Sequence, residues 1–181
     1  MVYVFLAEGF EEIEALTPVD ILRRGGIAVK TVGIGSKTVT GSHGIPVVCD
    51  LSENQLDLSD IKAVVLPGGM PGTLNLKNSR TVNEAIDFAY ENGKVIGAIC
   101  AAPSILGEKG LLRGKNAVCF DGFEKHLLGA SVSDDPVVKD GSIITARGAG
   151  AASEFGFSLL AAFKGKEVAD ELRGNMKYII H

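Results

Sequence analysis

A chain of 181 residues fits one domain and is too short for two comfortable ones. Its 46% hydrophobic and 22% charged residues exclude intrinsic disorder and a collagen-like chain, and leave enough apolar surface for a core without disulfide staples. With 18 basic against 22 acidic side chains the formal net charge is −4, the wrong sign for a nucleic-acid binder.

Cys49, Cys100 and Cys119 are odd in number and form no CxxC pair, so neither a disulfide scaffold nor a zinc ribbon fits. The opening apolar run, residues 2–7, has no basic region before it and meets Glu8, Glu11 and Glu12 at once. It is too short to cross a bilayer and unlike a signal peptide. A cytoplasmic chain without a membrane partner is the expectation.

Taken in order, short apolar runs at 2–7, 28–34, 63–67 and 95–99 are rich in Val and Ile without polar alternation, the mark of parallel strands covered on both faces. Between them lie helix patterns at 11–24, ended by Gly25-Gly26, and at 79–91, capped by Ser79 and ended by Asn92-Gly93. The alternation predicts right-handed βαβ units and a mostly parallel, doubly wound α/β sheet with helices on both faces. Residues 136–145 then read as a small antiparallel hairpin, with Asp140-Gly141 supplying positive φ angles. An apolar helix over 151–163 stops at Gly165, and another begins at Lys166. One domain, 1–181, is the reading.

Two glycine motifs fail as nucleotide signatures. In Gly33-Ile34-Gly35-Ser36-Lys37-Thr38 a Ser precedes the Lys where a phosphate loop needs Gly. Gly148-Ala149-Gly150-Ala151-Ala152-Ser153 has Ser in place of its third Gly and no later βαβ unit, so tight packing of helix on sheet explains its glycines better. His43, His126 and His181 show no ligand spacing and read as surface or loop histidines. No metal or cofactor is expected.

Three stretches carry chemistry. Cys100 lies between a buried strand ending at Ile99 and a helix with Pro103 in its first turn. That is the carboxyl edge of the sheet, where the positive end of a helix dipole lowers a thiol pKa. Gly97, Ala101 and Ala102 allow close backbone approach, as in a nucleophile elbow. From this stretch alone an inert buried cysteine fits as well as a reactive one. Leu66-Pro67-Gly68-Gly69-Met70-Pro71-Gly72 follows another strand and reads either as a glycine-rich turn or as a loop of N–H groups facing an oxyanion. Glu11 and Glu12 read as helix caps in solvent. Glu14, flanked by Ile13, Ala15 and Leu16, reads as a desolvated carboxyl able to stay protonated.

These stretches together resemble the ThiJ/PfpI superfamily, and within it the parkinsonism-associated DJ-one branch. The matching pieces are Ala7-Glu8-Gly9-Phe10-Glu11-Glu12-Ile13-Glu14 with Pro18-Val19-Asp20, then Leu66-Pro67-Gly68-Gly69 and Ala98-Ile99-Cys100-Ala101-Ala102-Pro103. Asp140-Gly141, Thr145-Ala146-Arg147-Gly148-Ala149-Gly150 and Glu154-Phe155 continue it over nearly the whole chain. The resemblance implies a flavodoxin-like sandwich, a homodimer and a nucleophilic or redox-sensitive Cys100. It implies Glu14 as the protonated partner of the thiolate and the Gly69 and Ala101 amides as an oxyanion hole. Gly68, Arg24, Ser42, His43 and Phe120 fall at or near pocket positions. Two departures matter: Ala101 stands where peptidase relatives carry His, which weakens a peptidase reading, and Phe120 followed by Asp121 stands where the branch often has His and Pro. Ala149 replaces a frequent Pro, a change expected to affect loop stiffness alone.

The chemistry this implies is cofactor-free conversion of a small aldehyde or glycated substrate, of the glutathione-independent glyoxalase or deglycase type. The alternative is an oxidative-stress sensor or chaperone-like protein using Cys100 without turnover. Cys49 and Cys119 read as packed, inert thiols.

Overall fold

The computed structural model describes residues 1–178, and His181 lies outside them. Strand β1 (Val2–Leu6) is followed by helix α1 (Glu12–Arg24), β2 (Val29–Gly33), the short β3 (Thr38–Thr40) and β4 (Pro46–Val48), and β5 (Leu51–Ser52). Then come β6 (Ala63–Leu66), α2 (Gly72–Asn78), α3 (Arg80–Glu91), β7 (Val95–Ile99) and α4 (Pro103–Glu108). The last part holds β8 (Asn116–Ala117), β9 (Ser131–Val132), β10 (Val137–Asp140), β11 (Ile143–Ala146), α5 (Ala152–Lys164) and α6 (Lys166–Asn175).

The seven-stranded sheet runs β10-β11-β7-β6-β1-β2-β5, parallel except for the antiparallel β10–β11 hairpin. Why β1 sits in its middle is visible in its side chains. Val2, Val4 and Leu6 enter one core with α1 and α5, while Tyr3, Phe5 and Ala7 enter a second core with α3 and α4. Both faces of the strand are buried, so a continuous apolar run replaces alternation.

The helices follow their periodicity. Ala15, Val19 and Leu22 turn inward on α1, and Val82, Ala85, Ile86 and Ala89 on α3. The Ser79 hydroxyl caps α3 by accepting from Val82 N at 3.3 Å. Among the described residues no helix is long and apolar enough to cross a membrane.

Two glycine expectations are corrected. In the hairpin only Gly141 is left-handed (φ 62°). Asp140 pairs with Ile143, leaving Gly141-Ser142 as a two-residue loop that needs Gly at its first position. Gly150 faces open space, and a Cβ on Gly148 would meet only the Phe120 ring, so neither is a helix-on-sheet contact. That role falls to Gly97 of β7, where a Cβ would lie 2.9 Å from Phe155 of α5, while Gly156 serves helix-on-helix packing, with a Cβ 2.8 Å from Ile21 of α1.

Sequence neighbours β2 and β5 lie on one side of β1, and β6, β7 and β11 on the other. The strand order therefore reverses between β1 and β6, and the loops leaving their carboxyl ends frame a crevice. The segments after β1, β6 and β7 that hold Glu14, Gly68-Gly69 and Cys100 all leave that edge.

Candidate active site

Cys100 directly follows β7 and adopts a left-handed φ of 65°, a conformation that costs a non-glycine residue about 1–2 kcal/mol. Two backbone bonds hold it there. Its N–H donates to Ala146 O of β11 at 2.9 Å, and its carbonyl accepts from Phe120 N at 2.8 Å. The outcome is a sharp elbow that holds the residue half-buried above the sheet. Helix α4 starts at Pro103, beyond two further turn residues.

Opposite the elbow, Gly68 and Gly69 leave β6, whose Leu66 pairs with Ala98 of β7. Gly68 can only be glycine: a Cβ there would lie 2.6 Å from Glu14 Oε2 and 2.7 Å from Cys100 Cβ. Its N–H donates to Glu14 Oε2 at 2.9 Å. Gly69 has φ 90°, and a Cβ on it would lie 2.4 Å from Glu11 N. The amides of Gly69 and Ala101 both face Cys100 Sγ, and among the described residues neither donates to a backbone carbonyl.

Glu14 enters from the first turn of α1 and is 1% exposed. Glu11 caps that turn, its Oε2 accepting from Glu14 N at 2.7 Å. The Gly68 amide is hydrogen-bonded to the Glu14 carboxyl, and the Cys100 thiol and the Ala149 amide lie close enough to it to alter its acidity. Burial raises its pKa to about 7 against the bond to Cys100, and the nearby Glu11 charge adds to the rise.

The thiol departs from the sequence expectation of a dipole-lowered pKa. Burial, followed by the Glu14 carboxylate, pushes it up to about 12, while the Ala101 and Gly69 amides pull it back. The Glu14 contribution belongs to the ionised carboxyl. Once Glu14 is protonated, its O–H donates to sulfur and favours thiolate. Glu14 and Cys100 are therefore one unit that gives up its first proton near neutrality and keeps the second well into the alkaline range.

Of the other residues at pocket positions, Gly68 adjoins the Cys100 side chain, Phe120 adjoins its backbone, and three lie elsewhere. Arg24 ends α1, about 15 Å along the helix axis from Glu14, and pairs with Asp20 at 2.7 Å. Ser42 and His43 gather around Glu12, His43 Nδ1 lying 2.9 Å from Glu12 Oε2. Glu12 is thus not a solvent cap: it is 6% exposed, roofed by the β3–β4 loop, and accepts from the His43 and Ile45 amides. Burial would raise its pKa, but the His43 ring, the His43 amide and the Ile45 amide together hold it below the ordinary value.

His126 pairs with Glu108 at 2.8 Å on α4, away from Cys100. Cys49 and Cys119 are 2% and 3% exposed. Sequence reasoning missed Ala149 as a donor to Glu14. Its signal would have been position, immediately beyond a strand adjoining β7, but no residue pattern states that β11 lies there.

The DJ-1/PfpI family pattern matches residues 1–162. The Drosophila melanogaster protein dj-1beta is 36% identical over 172 residues, covering 93% of this chain and 92% of its own. The glutathione-independent glyoxalase DJR-1.2 of Caenorhabditis elegans is 30% identical over 166 residues, covering 91% and 89%. Two Arabidopsis thaliana DJ-1 homologues, both 36% identical, are longer, and this chain spans 40% and 45% of them. The structure of oxidized Toxoplasma gondii DJ-1 superposes with a TM-score of 0.94 at 30% identity, covering 99% of this chain and 98% of that one. On sequence, fold and the residues at the carboxyl edge of its sheet, the chain belongs to the DJ-1/PfpI family.

Proposed function

We propose that the protein converts small reactive aldehydes by glyoxalase or deglycase chemistry, with Cys100 as nucleophile and Glu14 as proton carrier. The observation that carries this reading is a protonatable carboxyl, raised to about 7, held against a thiol that also faces two backbone amides.

The steps follow from that arrangement. The Cys100 thiolate adds to the aldehyde carbon of an oxoaldehyde, and the carbonyl electron pair moves to oxygen. The Gly69 and Ala101 amides stabilise that oxygen as charge develops, and Glu14 protonates it to give a hemithioacetal. The Glu14 carboxylate then takes the proton from the same carbon, giving an enediol as the neighbouring carbonyl oxygen is protonated. Glu14 returns a proton to the neighbouring carbon while the first hydroxyl loses its own, leaving a thioester of a 2-hydroxy acid. Water hydrolyses the thioester and restores the thiol. One oxoaldehyde and one water become one 2-hydroxy acid, with no external oxidant. The glyoxalase among the similar proteins supports the reading.

Lactate formation from methylglyoxal tests it. Cys100→Ser and Glu14→Gln should each lower kcat/KM by about a hundredfold or more; retained turnover in Cys100→Ser would overturn it.

The second reading is a peroxide sensor. It is favoured by the oxidized state of a similar protein and by the donors around Sγ, which suit the oxygens of a sulfinate. Stoichiometric oxidation of Cys100 without aldehyde turnover would select it. We also propose a homodimer working in the cytoplasm. Exposed Ile13 and Leu16 on α1 and Ile45 and Val48 on the adjoining β3–β4 segment support pairing of two copies, and three free thiols suit a reducing compartment. Sedimentation equilibrium should return twice the chain mass; a single-chain mass refutes the dimer.

A further inference from the structure

Beside the Cys100 elbow lies a groove of about 430 Å³. Its floor is the turn Gly148 to Ala151 beyond β11, and Phe120 and Pro136 stand over it. Two of its lining residues adjoin the candidate site: Phe120 N donates to Cys100 O at 2.8 Å, and the Ala149 amide lies close enough to Glu14 to lower its pKa. The walls are apolar except for Arg147 and Asp121, which answer each other's charge at 2.8 Å.

Two features keep the groove open. Phe120 is 51% exposed although large and apolar, its ring edge lying against Gly148, where a Cβ would be 3.3 Å away. Gly150 faces empty space. The volume falls within the roughly 300–1,000 Å³ of ordinary small-molecule sites, and a triose-sized oxoaldehyde bonded to Cys100 would leave most of it unfilled. An exposed aromatic wall above a glycine-lined floor is a surface for a flat or branched hydrocarbon group.

We propose that this groove receives the apolar substituent of the substrate, so that the site prefers oxoaldehydes carrying an aromatic or branched alkyl group over methylglyoxal. The proposal rests on the aldehyde reading of Cys100 and Glu14 and assigns Phe120 as a residue that determines specificity. Filling an apolar pocket is worth about tenfold or more in kcat/KM for each group matched.

The test compares phenylglyoxal with methylglyoxal in wild type, Phe120→Ala and Gly150→Leu. Each preparation is read as a ratio of two kcat/KM values, so an inactive fraction cancels. Wild type should favour phenylglyoxal by about tenfold or more. Both variants should lose most of that preference through the KM for phenylglyoxal, Phe120→Ala by removing the wall and Gly150→Leu by filling the space. Turnover of both aldehydes with no preference, or with a preference that both variants keep, overturns the groove and leaves the aldehyde chemistry standing. A separate reading needs no turnover: mandelate should protect Cys100 from iodoacetamide at concentrations where lactate does not. Protection without turnover would keep the groove and overturn the chemistry; neither protection nor turnover overturns both.

Discussion

Glu12 and Glu14 lie two residues apart on the first turn of α1, and both are buried. Their carboxyls nonetheless differ in acid strength in opposite directions. Glu12 meets the β3–β4 loop, where the His43 ring and amide and the Ile45 amide converge on it, and its pKa falls despite burial. Glu14 meets a thiol and two amides but no imidazole, and its pKa rises to about 7. Burial alone therefore does not produce a carboxyl that carries a proton at neutral pH. How deeply the carboxyl lies and which donors surround it decide together. One of these glutamates holds a loop in place; the other keeps its proton up to about pH 7.

The change expected to break both halves at once is Gly69→Ala. Its Cβ would fall 2.4 Å from Glu11 N and 2.6 Å from Gly9 O at a φ of 90°. Backbone strain and overpacking together should cost about 4 kcal/mol, measurable as a lower denaturant midpoint with loss of Cys100 reactivity.

Next in size is the pH dependence carried by Glu14. Its folded pKa lies above the ordinary 4.5, so between about pH 4.5 and 7 the folded state binds a proton that the unfolded state has lost. Its contribution is thus most favourable below 4.5 and is lost as pH rises through 7. A shift of that size corresponds to roughly 3 kcal/mol. Comparing unfolding midpoints of wild type and Glu14→Gln from pH 4 to 8 should show the wild type losing ground across that window. Parallel curves would mean that Glu14 is an ordinary carboxyl.

Glu12→Ala sharpens the contrast from the other side. It leaves the His43 and Ile45 amides without their acceptor, which should cost about 2 kcal/mol. Cys100 should still alkylate with its usual pH profile; a changed profile would mean that the two carboxyls act as one network.

Much of this was legible in the residues. Val2 to Leu6 reads as a two-faced buried strand because no polar residue interrupts it, and Ser79 announces α3 by its capping hydroxyl. Glu14 stands out because apolar neighbours surround a charge. Glu12 was not legible, since the loop that buries it comes from some thirty residues away and pairs an ordinary-looking histidine with it. The thiol's environment was misjudged for a related reason. Pro103 marks a helix start, but how deeply Cys100 lies behind Glu14 depends on β1, β6 and β7 being neighbours. The groove at Phe120 is a product of the same strand order, which composition and spacing do not state.

The proposed chemistry turns on Glu14 and Cys100 sharing one proton near neutrality. The rate of Cys100 alkylation by iodoacetamide against pH, read by peptide mass spectrometry for wild type and Glu14→Gln, tests it most directly. Wild type should show a step near pH 7, well below the free-thiol value of about 8.5, and Glu14→Gln should lose it. A wild-type profile that follows an ordinary thiol, or one that Glu14→Gln leaves unchanged, would contradict it.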